Sequence, residues 1–249
     1  MSPEHILRHY FGISLTPAWN NVLATLLTVF YVQIVLLLGD LIKKAGASSD
    51  VSRKFVHIGA ASWIICWPWF DDTHWTWKLN IFVPFVQGLK LSYKGAFADP
   101  TDVDVQIMCR HGNPKELFYG PLQFCIFMCY LGLFKFMTLD GCIIMAATGI
   151  GDGIAPLVGK FYGSHKYRLP FGGQKSLEGS FFGVFMGTLI GSLIFPLVIG
   201  LPTLSIYVTI QCAVFATVFE AGSPEGFDNI FVPLMMNLVV KHNPMFSHV

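Results

Sequence analysis

The stretch NVLATLLTVFYVQIVLLLGDL, Asn21 to Leu41, carries one charged residue, Asp40, among 21 positions. A helix needs about 20 such residues to cross the hydrocarbon core of a bilayer. Working outward, further apolar runs lie near 55–70, 79–93, 118–135, 139–158, 181–200, 202–220 and 228–240. Pro84, Pro156, Pro196 and Pro233 fall inside these runs and are expected to kink or break helices. Charged residues make up only 12% of the chain, against about 25% in ordinary globular proteins. Apolar residues make up 53%, and mean hydropathy is +0.57. This profile excludes a disordered chain, a nucleic-acid binder and an ordinary soluble domain. The expected fold is an all-α, polytopic transmembrane helix bundle of seven or eight spans, or six if the shorter runs do not cross. One integral-membrane domain is expected over 1–249, with residues 1–20 as an interfacial segment.

With eight spans, loops 43–54, 94–117, 159–180 and 221–227 share one side. That side and its run ends hold Lys43, Lys44, Arg53, Lys54, Lys90, Lys94, Arg110, Lys115, Lys160, Lys166, Arg168 and Lys175. The other side holds Arg8, Lys78, Lys135 and Lys241. The asymmetry places the first set on the cytoplasmic-type face. Most of the acids fall there too, including Asp50, Asp152, Glu178, Glu220 and Asp228, and a site for a polyanion with a metal explains both signs of charge on one face. The cysteines lie mostly inside apolar runs, with no zinc-like spacing, so neither a disulfide framework nor structural zinc is expected.

Five segments on that face carry candidate chemistry. TGIGDGIAPLVGKFYG (Thr148–Gly163) sets Gly151 and Gly153 around Asp152, an acid at the end of an apolar run. It is not a dinucleotide fingerprint, because Ile154 stands where the third glycine would fall. PFGGQKSLEGS (Pro170–Ser180) offers a Gly172–Gly173 turn, Lys175 as a point charge and Ser176 as a hydroxyl, although it is no Walker A match. Ser176 reads equally well as a helix N-cap, with Glu178 in the first turn. In SRKFVHIG (Ser52–Gly59), Arg53 and His57 are four apart and share a helix face, with arginine suited to phosphate. RHGNPKELFYGPL (Arg110–Leu122) leads into the fourth run. In EAGSPEGFDNIFVP (Glu220–Pro233), Asp228 and Asn229 offer hard oxygens to a divalent cation, or Asp228 simply caps a helix.

GDGIAPLVGKFYG followed by KSLEGS resembles the polyprenol kinase family, membrane enzymes that include phytol kinase, dolichol kinase and the CTP-using diacylglycerol kinase. RKFVHIG, KELFYGPL (Lys115–Leu122) and FDNIFVPL (Phe227–Leu234) are similar to further family segments, in the right order from about Ser52 to Leu234. The GDGIA form is most similar to phytol kinases. Phe227 stands where such relatives usually carry a second Asp, and Pro156 departs from the usual residue after GDGIA. The resemblance implies transfer of a phosphoryl group from CTP, or another nucleoside triphosphate, to the hydroxyl of a long isoprenoid alcohol, with Mg2+. It implies Asp152 as metal ligand or base, with Lys175 and the Gly172–Gly173 turn cradling phosphates and Arg53 neutralising developing charge. His57 joins the catalytic set. Gly151, Gly153, Ser176 and Lys160 join the nucleotide set, and Glu178, Asp228 and Asn229 are further metal candidates. The expected partners are a lipid alcohol, a nucleoside triphosphate and membrane lipids, with no nucleic acid. The endoplasmic reticulum or a plastid membrane is the expected location.

Alternatives are a CTP-dependent diacylglycerol kinase, a CDP-lipid cytidylyltransferase and, outside enzymes, a small transporter. The phenylalanines Phe118, Phe124, Phe161, Phe171, Phe181, Phe182 and Phe231 are expected to line a groove for one branched chain. In a cysteine-free background, single cysteines placed in loops 43–54, 94–117 and 159–180 are expected to react with an impermeant thiol reagent from the same side of the membrane. Labelling from opposite sides would rule out a shared face.

Overall fold

The computed structural model describes residues 3–169, 173–224 and 226–242. A short helix α1 (Pro3–Phe11) precedes α2 (Pro17–Lys44). Helix α2 starts at Thr16, whose hydroxyl accepts from the Trp19 N–H, and Pro17 sits where a missing N–H does no harm. Its 28 residues rise about 42 Å, enough to cross a bilayer. The helix is polar inside and apolar outside. Asn21, Thr25, Thr28 and Gly39 are buried, while Leu26, Phe30, Leu37 and Leu41 are exposed. The Thr25 and Thr28 hydroxyls donate back to the Asn21 and Ala24 carbonyls at 2.8 Å, so neither of these two is left unmet. That inversion identifies an all-α bundle of the membrane type.

Among the described residues, four helical stretches are long and apolar enough to cross: Pro17–Lys44, Glu116–Phe134, Leu139–Phe161 and Gly179–Ile199. Helix α11 (Ile206–Gly222) is apolar but shorter. The expected seven or eight runs are therefore present as four full-length helices plus shorter pieces. The second run divides into α3 (Ser49–Ala61) and a 3-10 turn, Ser62–Trp69, which contains Pro68. The third divides into a 3-10 turn, Trp75–Ile81, and α4 (Phe82–Phe97). Protein shields the second: Ala61, Trp63, Ile64 and Trp67 are wholly buried in the main core.

The polar stretch after α4 folds as a cap. Helix α5 (Val103–Met108) lies on α3, with Val105, Ile107 and Met108 packed against Val56 and Leu91. Lys94 fastens it through Asp102 at 2.8 Å and Asp104 at 2.6 Å. The one-turn helix α6 (Glu116–Tyr119) then leads into α7 (Pro121–Phe134).

The next two long helices are interrupted. Leu139–Phe161 consists of α8 (Leu139–Met145), a π-helical stretch Ala146–Gly151 and α9 (Asp152–Phe161). A short antiparallel hairpin, β1 (Lys166–Arg168) and β2 (Gln174–Ser176), follows, with Tyr167 opposite Lys175. This hairpin is a small addition to the all-α reading. Gly179–Ile199 consists of a second π-helical stretch, Gly179–Phe185, and α10 (Met186–Ile199). Helix α12 (Asp228–His242) closes the bundle.

The two interrupted helices meet along a seam of small residues. A Cβ on Gly183 would meet the Ala155 backbone N at 2.6 Å, and one on Gly187 would meet the Gly151 Cα at 3.1 Å. Such close approach is how helices associate where lipid removes the hydrophobic drive. It also fixes Asp152, which opens α9 beside this seam. Gly183→Ala is expected to lower unfolding stability in detergent by about 1–3 kcal/mol, because backbone cannot move aside as a side chain can. Gly222→Ala, with open space around its Cβ position, is expected to stay within about 0.5 kcal/mol. Equal melting shifts for the two would contradict the seam.

Candidate active site

Helix α3 presents Arg53, Lys54 and His57 toward α9. Lys54, 5% exposed, places its Nζ 2.8 Å from Asp152 Oδ2 and 2.9 Å from the Asp152 carbonyl oxygen. Asp152 is itself 3% exposed. That carbonyl is available because Pro156, four residues on, has no N–H to give it. Among the described residues no hydrogen bond reaches Asp152 Oδ1. His57 Nε2 donates to the Thr148 carbonyl at 3.0 Å, inside the first π-helical stretch, and lies 3.5 Å from Asp152 Oδ2. The Phe124 ring stacks on the imidazole, with centroids 4.2 Å apart. A buried ion pair is weak evidence for stability, because desolvation costs several kcal/mol per ion. Charge kept at membrane depth points to a functional site.

Asp152 lines a cavity of about 830 Å³. Charged side chains line it: Arg53, Lys54, Lys160, Lys175, Glu220 and Asp228. Apolar side chains line it too: Val35, Trp63, Val83, Leu91, Phe124 and Met128. The structure thus brings together Asp152, Arg53, His57, Lys160, Gly173, Lys175, Ser176, Asp228 and Asn229 from separate segments. Arg53 Nε and Nη2 are buried without a hydrogen-bond partner, which suits a guanidinium held for an anion. Lys175, on β2, donates to both the backbone carbonyl and the carboxylate of Glu220.

Three predicted residues lie apart from the cavity wall. Gly151 and Gly153 are helical, and their missing Cβ atoms make room for Val184 and Thr188 and for Ile58, respectively. They are packing glycines rather than a phosphate-facing loop. Glu178 accepts from His165 Nδ1 at 2.7 Å, and that hydrogen bond foremost holds its carboxyl down at about 2. Gly172 lies outside the described residues. Ser176 Oγ accepts from the Gly179 N–H at 3.1 Å, so it has the N-cap bond as well as a place on the cavity wall. The expected phenylalanine groove is corrected. Phe161, Phe181 and Phe182 point outward, 52–62% exposed, because their helix positions lie on the outer surface of the bundle; of that set only Phe124 lines the cavity, and Phe171 lies outside the described residues.

Among the described residues no three His, Cys, Asp or Glu side chains converge tightly enough to hold a metal unaided. The donor set nonetheless suits a magnesium ion that takes its remaining ligands from phosphate and water. Asp228 lies within electrostatic range of Asp152, and Asn229 Oδ1 is buried and unpartnered beside it.

Sequence reasoning missed Lys54 and Glu220 as site residues. Lys54 and His57 are three apart, so the same helical spacing that flagged Arg53 and His57 also flags Lys54. Glu220 gave only a weaker signal, an acid closing an apolar run.

No family model and no solved structure matches the chain. It is 30% identical over 232 residues to the "Phytol kinase" of Synechocystis sp., covering 90% of this chain and 91% of that protein. It is 32% identical over 149 residues to "Phytol kinase 1, chloroplastic" of Arabidopsis thaliana and 26% identical over 144 residues to "Farnesol kinase, chloroplastic" of the same plant. The chain spans about half the length of these plant relatives, 48% and 46%. With the motif order, the all-helical membrane bundle and a cyanobacterial likeness running nearly end to end, the chain belongs to the polyprenol kinase family, beside the phytol and farnesol kinases.

Proposed function

We propose that this protein is a membrane lipid-alcohol kinase, which moves the terminal phosphoryl group of CTP, or another nucleoside triphosphate, onto the hydroxyl of a long isoprenoid alcohol such as phytol. The observation that carries this reading is one cavity lined by both cationic and apolar side chains, with Asp152 on its wall. An isoprenoid chain fits against Val35, Trp63, Val83 and Met128. Its hydroxyl reaches Asp152, whose Oδ1 accepts its hydrogen. Lys54 holds that carboxylate in register, and His57 braces the backbone beside it through Thr148.

The hydroxyl oxygen attacks the terminal phosphorus, the bond to the nucleoside diphosphate breaks, and the diphosphate departs with the pair of electrons. Positioning and charge stabilisation supply most of the catalysis in such a transfer, so an ion-paired Asp152 that orients the hydroxyl suffices. Arg53 and Lys175 stabilise charge on the phosphate oxygens. A magnesium ion, when bound, neutralises the phosphate tail, and Asp228 and Asn229 Oδ1 are the residues to hold it. The motif loops face the cytoplasm or its equivalent, where the nucleotide is dissolved. The membrane is that of a plastid or of the endoplasmic reticulum.

Purified protein given γ-labelled CTP or ATP is expected to label phytol or farnesol faster than dolichol or diacylglycerol. Lipid labelled from α-labelled CTP would mean nucleotidyl transfer, fastest labelling of diacylglycerol would overturn the acceptor, and no label in any lipid would overturn the kinase reading.

Asp152→Asn is expected to reduce turnover by about 100-fold or more. It also strands the Lys54 ammonium and is expected to cost on the order of 3–5 kcal/mol of stability. Adding Lys54→Met is expected to recover the melting temperature but not the activity. Near-normal turnover in the double variant would show that the pair is structural alone.

A further inference from the structure

Asp50 stands at the start of α3, on the wall of the same cavity, and is met by cations from three separate elements. Lys160, at the end of α9, places its Nζ 2.9 Å from Asp50 Oδ2. Arg110, from the cap loop after α5, places its Nε 3.6 Å from Asp50 Oδ1. Arg53, one turn along α3, places its Nη2 3.8 Å from the same oxygen. Lys160 also donates to Ser48 Oγ at 2.8 Å. All four side chains line the cavity and keep 25% to 48% exposure, although the Arg53 Nη2 atom is itself buried, so the Lys160 and Arg110 contacts are exchangeable rather than locked.

We propose that Asp50 is an internal anion that occupies the polyphosphate site of the empty enzyme and sets the charge a ligand must carry to displace it. Three cations left facing one another would repel. A tethered carboxylate holds them in place at low electrostatic cost, so the site is preorganised before the nucleotide arrives. The Lys160 hydrogen bond foremost keeps the Asp50 carboxyl below its usual range, so the anion is present at neutral pH. A triphosphate tail brings several negative charges and can satisfy Arg53, Arg110 and Lys160 at once. A single phosphate, free or on a lipid product, competes poorly with a carboxylate already in the site. The consequence is selection for the donor's polyphosphate and easy departure of the monophosphorylated product. This rests on the kinase reading for its physiological ligand, but the binding site itself is defined by the cations.

The test uses the full-length protein in detergent or nanodiscs. Binding of CTP and of inorganic phosphate is measured directly without any lipid alcohol, alongside turnover with phytol. Asp50→Asn is expected to tighten CTP binding roughly 3- to 10-fold, about 0.7–1.4 kcal/mol. It is also expected to make inorganic phosphate an effective inhibitor. Asp50→Glu, which keeps the carboxylate, is expected to behave like the wild type, and Arg110→Ala to weaken CTP binding. Weaker CTP binding in Asp50→Asn, or unchanged affinity and unchanged phosphate inhibition, would overturn the proposal and leave Asp50 as a helix-end ion pair. If Asp50→Asn does not fold, phosphate inhibition of Arg110→Ala, Lys160→Ala and the wild type decides: loss of one of the cations must weaken CTP more than phosphate. Wild-type protein that labels no lipid would defeat the kinase reading, while the affinity changes would still judge the role of Asp50.

Discussion

A lysine and an aspartate, both almost wholly buried between two helices of a lipid-embedded bundle, set the terms for the rest of this structure. Each group needs the other there. Lys54 Nζ faces both the Asp152 carboxylate and the Asp152 carbonyl, and the carboxylate keeps one oxygen for other work. The bundle must therefore hold α3 against α9 to within a few tenths of an ångström. Much of the local sequence makes sense as a means of doing so. Ile58 packs into the space left by Gly153, and His57 spans to the Thr148 carbonyl.

The irregular backbone beside the pair is part of the same device. A π-helical stretch and a proline each release carbonyl groups that a regular helix would consume. In hydrocarbon such groups are costly unless something meets them. Here His57 meets one and Lys54 meets another, so the broken helix and the polar side chains solve each other's problem. The seam of Gly183, Gly187 and Gly191 brings the second interrupted helix close enough to back this arrangement. Removing a small residue from that seam would disturb the charge pair at a distance.

The membrane character and the cluster of motifs were legible because both are written in residue type. Twenty apolar residues in a row have few alternatives, and acids gathered at the ends of such runs need an explanation. The convergence of Arg53, Asp152, Lys175 and Asp228 on one cavity was readable from loop parity and charge bias. The roles of individual residues were less so. Gly151 and Gly153 sit in a phosphate-like pattern, yet they serve helix packing, because glycine's freedom to approach backbone looks the same in either use. Phe161, Phe181 and Phe182 carry no mark that tells a ligand-facing ring from a lipid-facing one. Lys54 was hidden beside Arg53 in a pair that reads as a topology signal, and only the tertiary contact with a residue 98 positions away separates them. The number of full-length spans was not legible either, since an apolar run of fifteen residues serves equally well inside protein or across a thin part of the bilayer.

The cavity resolves a conflict that any such catalyst faces. In the proposed reading its two substrates prefer different phases: a polyphosphate loses much of its hydration in apolar surroundings, and an isoprenoid chain loses its hydrophobic stabilisation in water. A site placed wholly in either phase would pay heavily for one of them. In that reading Val35, Trp63, Val83 and Met128 are the residues to hold the chain, and Arg53, Arg110, Lys160 and Lys175 those to replace water around the phosphates; all line the one cavity. Only the hydroxyl and the terminal phosphate need then share a boundary, where Asp152, held by Lys54, would stand. The cap, anchored through Lys94 to Asp102 and Asp104, adds both Met108 and Arg110 to the wall of the same cavity. Specificity then divides along the same line. In the proposed reading the apolar side chains select chain shape and the cationic ones select charge, so each set can change in evolution with little effect on the other.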